Sequence, residues 1–94
     1  MSKKIPEIQS DSGGVVVEIT SSKWWSYSIG YIKNTNEFPV RVKKVTIRPH
    51  DGECTDWLKV FQPGEEVDLR IDLGSKFYVY NMNGVLIGFI IPRE

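Results

Sequence analysis

The residues of this chain that could do acid–base or metal chemistry gather around position 50. His50 is the only histidine and Cys54 the only cysteine, with Asp51 and Glu53 between them. A structural zinc site needs about four ligands at recognisable spacing, and a cysteine nucleophile needs a histidine that faces it and a third group that orients the pair. Because residues 49–56 supply neither, we interpret them as a structural loop and predict no catalytic residue, metal or cofactor. A small enzyme that uses His50 and Cys54 is the weakest of three hypotheses.

Charged residues form two local clusters of opposite sign. The basic cluster contains Arg41, Lys43, Lys44 and Arg48, and the acidic cluster contains Glu65, Glu66, Asp68 and Asp72. The chain as a whole has 12 basic and 12 acidic residues, so no net charge drives binding to nucleic acid or to an anionic membrane. We interpret the clusters as two solvated strand faces, and the carboxylates as solubilising charges rather than an acid–base pair.

Aromatic residues cluster at Trp24, Trp25 and Tyr27. Adjacent residues of a strand point to opposite faces, so one tryptophan of the pair is expected at a rim or on the surface. Large flat amphipathic side chains are enriched at recognition surfaces. The cluster, expected beside Trp57, therefore supports an alternative function, a carbohydrate-binding module that uses these three rings as its platform. The structural alternative places one tryptophan in the core and the other under a loop.

The strongest local signal is a hairpin over residues 76–91. Two runs of β-branched and aromatic residues flank Asn83-Gly84, which is typical of a two-residue type I′ turn. With that turn, Met82 pairs with Val85, Tyr80 with Ile87, Tyr78 with Phe89, Asn81 with Leu86, Val79 with Gly88, and Phe77 with Ile90. Both faces are then apolar, although an antiparallel hairpin at a solvated surface should have one polar face.

An apolar face that nothing covers predicts a binding surface. The expected binding residues are Tyr78, Tyr80, Val85, Ile87 and Phe89, most simply in an isologous dimer in which the patch meets its own copy. In the competing explanation the N-terminal arm covers this face, with Ile5 and Ile8 folded back over it. The predicted function is a non-enzymatic binding or assembly module whose partner is itself or another protein.

The remaining chain predicts strands and no helix. It contains no alanine and is rich in valine, isoleucine and aromatic residues. Alternating patterns predict strands over 15–20, 24–33, 38–48, 57–61 and 67–73 in addition to the hairpin, with a bulge at Lys43–Lys44 that places Val40, Val42, Val45 and Ile47 on one side. In the fifth strand, Val67, Leu69, Ile71 and Leu73 face the core. Residues 1–13 are expected to form a flexible arm, and residues 14–94 a single antiparallel, seven-stranded β-sandwich domain.

Residues 14–91 resemble immunoglobulin-like and FxLYD-type domains of bacteria and archaea. The resemblance lies in Gly30-Tyr31-Ile32-Lys33-Asn34, Pro39-Val40, Val45-Thr46-Ile47 and Pro63-Gly64-Glu65-Glu66-Val67. It implies an immunoglobulin-like β-sandwich and a bias towards adhesion or accessory modules, and it transfers no site residues. The chain departs from these patterns because Cys54 has no second cysteine to pair with and because the tyrosine–aspartate pair of the FxLYD type is missing.

The expected location is the cytoplasm. No apolar run approaches the roughly 20 residues of a membrane span, so no membrane insertion is predicted. The N-terminus has basic residues without the apolar region of a secretory signal, and a single cysteine allows no intrachain disulfide.

Overall fold

The protein folds into seven antiparallel strands, the number that the sequence predicts. The computed structural model describes residues 12–23, 27–72 and 74–92, and contains no helix within those ranges. The strands are β1 (Val15–Lys23), β2 (Tyr27–Asn34), β3 (Val40–Arg48), β4 (Gly52–Phe61), β5 (Glu66–Asp72), β6 (Ser75–Tyr80) and β7 (Leu86–Ile90).

The strands form two sheets that share one apolar core. One sheet has three strands in the order β1-β2-β5, and the other has four in the order β4-β3-β6-β7. Both sheets contribute to the core cluster, which consists of Val15, Ile32, Val40, Val42, Phe61, Phe77, Val79 and Ile90. The sheets therefore pack face to face, and each leaves its other face directed outwards.

The period-two pattern identified the inner face of β5. Val67 and Leu69 pack against the core cluster and Ile71 is buried, whereas Asp68 and Arg70 are exposed, as predicted for β5. Leu73 lies outside the described residues. On β2 the buried set includes Gly30, where a Cβ would collide with the backbone carbonyl oxygen of Glu18 on β1. Its position matches the close backbone approach that a glycine inside a strand indicates.

Two bulges shift the strand register, and two strands are longer than predicted. In β1 the register shifts between Ile19 and Ser21, and the strand continues to Lys23 through the segment expected to turn. In the β3–β4 pair the register shifts between Lys44 and Val45, because Asp56 of β4 is the extra residue. β4 is also longer than predicted and begins at Gly52, so most of the expected loop over 49–56 is strand. The predicted four-residue apolar side is wrong: Val45 is buried outside the core cluster and Ile47 is 45 % exposed.

The hairpin turn is one residue longer than the Asn-Gly pair predicts. The amide of Gly84 donates to the carbonyl of Asn81 and the amide of Asn81 to that of Val85, which leaves a three-residue loop. The side-chain oxygen of Asn81 accepts hydrogen bonds from the amides of Asn83 and Val85 and stabilises this longer loop.

The longer loop changes the pairing near the turn. Tyr80 pairs with Leu86, and the register then shifts so that Ile87 is skipped. The predicted pairs Tyr80–Ile87, Asn81–Leu86 and Met82–Val85 are therefore wrong. The pairs Phe77–Ile90, Tyr78–Phe89 and Val79–Gly88 are confirmed.

The turn before β1 packs against this hairpin. Ser12 is buried, and a Cβ at Gly88 would collide with the backbone of Ser12 and Gly13. Those two residues are the described part of the predicted arm. Residues 1–11, which include Ile5 and Ile8, lie outside the described residues.

Candidate functional site

The hairpin face that points away from the core is the outer face of the four-stranded sheet. Phe77 and Val79 are fully buried, so the alternate residues Tyr78 and Tyr80 point outwards. Strand pairing then places side chains from all four strands in cross-strand rows. One row runs Leu58, Lys43, Tyr78, Phe89, and the next runs Val60, Arg41, Tyr80, Leu86. We call these eight residues, together with Lys76, the aromatic–cationic face.

The centre of this face is a ring pair held between lysines. Tyr78 and Phe89 stack with centroids 5.4 Å apart and an interplanar angle of 30°. The Lys43 ammonium lies 5.4 Å from the Tyr78 centroid and 5.8 Å from that of Tyr80, and the Lys76 ammonium lies 5.2 Å from that of Phe89. These distances are within the range of cation–π attraction. The lysines therefore fix the rings in place and make the face positive.

A carboxylate at the edge of the face anchors Tyr78. The Tyr78 hydroxyl donates to the Glu53 carboxylate at 2.7 Å, and the Lys76 ammonium lies 3.2 Å from the same oxygen. The hydrogen bond from Tyr78, followed by that from Lys76, lowers the pKa of Glu53, and the same bond to Glu53 raises the pKa of Tyr78. Glu53 is thus an ionised acceptor that orients the ring, which is a structural role.

The remaining cations and apolar side chains of the face are accessible to solvent or to a binding partner. Within the described ranges, neither Arg41 nor Lys43 forms an ion pair within 4.0 Å. Leu58 and Leu86 are 58 % and 52 % exposed, and Val60 is also exposed. Apolar exposure next to uncompensated positive charge is typical of a surface that binds something.

The outer face of the three-stranded sheet is net negative, because among the described residues it carries the four carboxylates of Glu18, Glu66, Asp68 and Asp72 against the two cations of Lys33 and Arg70. Glu18 and Asp68 pair with Tyr31 from either side, and Glu66 pairs with Lys33 in the next row. The Tyr31 hydroxyl donates to Glu18 at 2.8 Å, and this hydrogen bond raises the pKa of Tyr31. We call Glu18, Tyr31, Glu66 and Asp68 the acidic face. The outward members of the acidic cluster and those of the basic cluster therefore lie on opposite sides of the domain.

One member of the basic cluster is not solvated. Lys44 follows Val40 and Val42 on the inner face of β3 and is 4 % exposed. Its ammonium lies 2.6 Å from Asp56 of the same sheet and 3.9 Å from Asp72 of the other. Burial alone would raise the pKa of Asp56, but hydrogen bonds from Lys44 and Thr46 outweigh it and lower that pKa from 3.8. This cluster ties the two sheets together at one end of the core.

The residues around position 50 do not converge. His50 is exposed in the turn between β3 and β4, whereas Cys54 is half-buried within β4. Glu53 is engaged by Tyr78 and Lys76 rather than by either of them. The described part of the chain contains no group of three histidine, cysteine or acidic side chains that could hold a metal ion. Nor does it contain a helix long and apolar enough to cross a membrane.

The expected aromatic platform is described only at Tyr27, because Trp24 and Trp25 lie outside the described residues. Tyr27 lies on the outer face of β2, and the Arg70 guanidinium covers its ring at 4.5 Å from the centroid. Trp57 instead packs on the inner side of the other sheet, with ring centroids 6.3 Å from Phe61 and 6.1 Å from Phe77. Tyr27 and Trp57 therefore do not share a surface, and the carbohydrate platform stays a prediction.

Three of the five predicted binding residues lie together on the aromatic–cationic face: Tyr78, Tyr80 and Phe89. Ile87 does not, because the register shift turns it against the core cluster. Val85 is 56 % exposed beside the hairpin loop. Sequence reasoning missed the contribution of β3 and β4, since Lys43 and Leu58 join the site only through a strand order that no local pattern specifies.

No family model, curated protein or solved structure matches this chain. The geometry of the described residues is therefore the basis for the proposed function.

Proposed function

We propose that the protein is a non-enzymatic assembly module that self-associates through the aromatic–cationic face. The observation that carries the proposal is the row Leu58, Lys43, Tyr78, Phe89, which crosses all four strands. Aromatic residues and arginine are enriched where proteins bind one another, and here they occupy the middle of a sheet rather than a loop tip. The rings are already fixed by Lys43, Lys76 and Glu53, so binding orders few side chains.

The size of the face predicts a weak, reversible association. Four strands about 4.8 Å apart span about 19 Å, and the two rows and the Lys76 position beside them, each about 7 Å along the strands, span about 20 Å. The flat face is thus about 400 Å² per partner, below the roughly 800 Å² of a standard interface. We therefore expect dissociation constants in the upper micromolar range, where assembly depends on local concentration.

We also propose that the fold is immunoglobulin-like. The first, second and fifth strands share one sheet and the third, sixth and seventh share the other, as do strands A, B, E and C, F, G of immunoglobulin domains. The fourth strand lies beside the third rather than in the sheet of the first. In the segment that carries the resemblance, Gly30, Ile32 and Asn34 are all buried. Asn34 donates to the backbone carbonyls of Phe38 and Phe61 and so joins the two sheets.

Sedimentation velocity of single variants tests the assembly proposal. Leu58→Glu and Tyr80→Glu place a carboxylate on the face and should reduce association at least about tenfold, because each buries a charge against apolar groups. Phe38→Glu is the matched control, since Phe38 is 49 % exposed in the loop before β3 and lies off the face. Association that persists in both face variants, or a wild type that stays monomeric up to millimolar concentration, would contradict the proposal.

A further inference from the structure

The charge of the aromatic–cationic face argues against its pairing with its own copy. Arg41, Lys43 and Lys76 lie on it, and its one carboxylate, Glu53, is already bound by Lys76 and Tyr78. In an isologous contact the cations of two identical faces would be brought together. Like charges across an interface oppose binding, and here no free carboxylate on either face could compensate.

The acidic face of a second molecule carries the carboxylates that could pair with these cations. Glu18 and Asp68 flank the Tyr31 ring, with Glu66 in the adjacent row. Glu66 and Asp68 form no ion pair within 4.0 Å among the described residues, so both can accept a cation from a partner. Val16 and Ile29 are half-buried on the same outer face and supply apolar contact.

On this basis, which rests on the proposed self-assembly, we propose that the contact is heterologous: the aromatic–cationic face of one molecule binds the acidic face of the next. The partner class is thus a second copy of this chain, recognised through its outward carboxylates and Tyr31. Arg41 and Lys43 would pair with Glu66 and Asp68 of the neighbour.

The position of the two faces sets the form of the assembly. They are the outer surfaces of opposite sheets, so a molecule that binds one neighbour through β3 and β6 keeps its β1-β2-β5 face free. A head-to-tail contact of this kind does not close as a dimer and produces open chains of molecules. The average mass should therefore keep rising with concentration instead of levelling off at twice the monomer mass.

Charge-reversed variants test the contact directly by sedimentation velocity. The first variant carries Arg41→Glu and Lys43→Glu, and the second carries Glu66→Lys and Asp68→Lys; circular dichroism confirms that each is folded. We expect each variant alone to associate about tenfold or more weakly than the wild type, because its two faces then have the same sign. An equimolar mixture should recover association, since each face finds an opposite face on the other variant.

The same series separates failure of the heterologous contact from failure of self-assembly. If the second variant alone associates as the wild type does, or if wild-type mass levels off at a dimer, the contact is isologous and this inference is wrong although self-assembly holds. If the wild type never associates, the proposed function itself fails.

Salt provides an independent readout on the unmodified protein. Raising ionic strength from about 10 mM to 1 M shortens the screening length from about 30 Å to about 3 Å. A heterologous contact between opposite charges should weaken severalfold over this range. Association that strengthens with salt would instead indicate two like-charged faces and overturn the inference.

Discussion

The partly buried ion pair between Lys44 and Asp56 makes a stability prediction whose size depends on which partner is removed. The Lys44 side chain is 5 % exposed, and that of Asp56 is 23 % exposed. Among the described residues, Asp56→Ala leaves the buried Lys44 ammonium with one charged partner, Asp72 at 3.9 Å. Breaking a buried pair in this way costs about 3–5 kcal/mol, and we expect about 3 kcal/mol because Asp72 remains.

Removal of the cation should cost less. Lys44→Met keeps the length and volume of the apolar stem, and it leaves Asp56 partly solvated and still hydrogen-bonded to Thr46. We expect a loss of about 1 kcal/mol, close to that of a partly exposed pair. The control is Asp51→Ala, an exposed turn position, which should stay within about 0.5 kcal/mol of the wild type.

Thermal unfolding resolves these differences. In a domain of this size 1 kcal/mol shifts the melting temperature by about 4–8 °C, so Asp56→Ala should melt roughly 12–24 °C lower and Lys44→Met roughly 4–8 °C lower. Equal losses, or a larger loss for Lys44→Met, would refute the argument that an uncompensated buried charge is the costly state.

The pH dependence of the same pair has a definite sign. The folded-state pKa of Asp56 is lowered from 3.8, so Asp56 binds protons more weakly in the folded than in the unfolded protein. The stability it contributes is therefore complete above the unfolded pKa and is lost as pH falls through the folded pKa. The difference between wild type and Asp56→Ala should be constant from neutral pH to about pH 5 and shrink only below 3.8. A difference that changes between pH 5 and 7 would assign the effect to another group.

Three further tests of the packing use single substitutions. Val79→Glu should unfold the domain, as judged by circular dichroism, because Val79 is fully buried in the core cluster; a folded variant would place the core on the other hairpin face. Leu69→Ala should cost about 2 kcal/mol in denaturant unfolding and Asp68→Ala less than about 0.5 kcal/mol, and equal costs would contradict the face assignment of β5. Gly88→Ala should cost more than Gly84→Ala, about 3 against about 1 kcal/mol by the same measurement, because the first collides with backbone and the second meets only an unfavourable φ of 86°; the reverse order would mean that the turn before β1 does not pack there.

Features with a strong local cause were predictable from the sequence. The alternation of Val67, Leu69 and Ile71 with charged residues located both faces of β5. Far from the turn the hairpin register was correct, because the strands there are long enough for the pattern to fix the pairing. The predicted two-residue turn was wrong, because the Asn81 side chain accepts hydrogen bonds from the amides of Asn83 and Val85 and stabilises a longer loop.

Features that depend on distant partners were not predictable. Residues 52–56 have little apolar alternation, and they form a strand because β3 is available for pairing. Lys44 has the same strand parity as Val42, but a lysine beside other basic residues is expected in solvent. It is buried because the bulge brings Asp56 to it and the facing sheet brings Asp72. The same holds for the aromatic–cationic face, whose rows exist only once the strand order is known.

The most direct test of the central claim is a concentration series of backbone amide spectra by NMR on the wild-type chain. Self-association through the aromatic–cationic face predicts progressive shifts at Lys43, Leu58, Tyr78 and Phe89, with little change at Phe38. Shifts confined to other parts of the chain, or spectra that do not change up to millimolar concentration, would contradict the account.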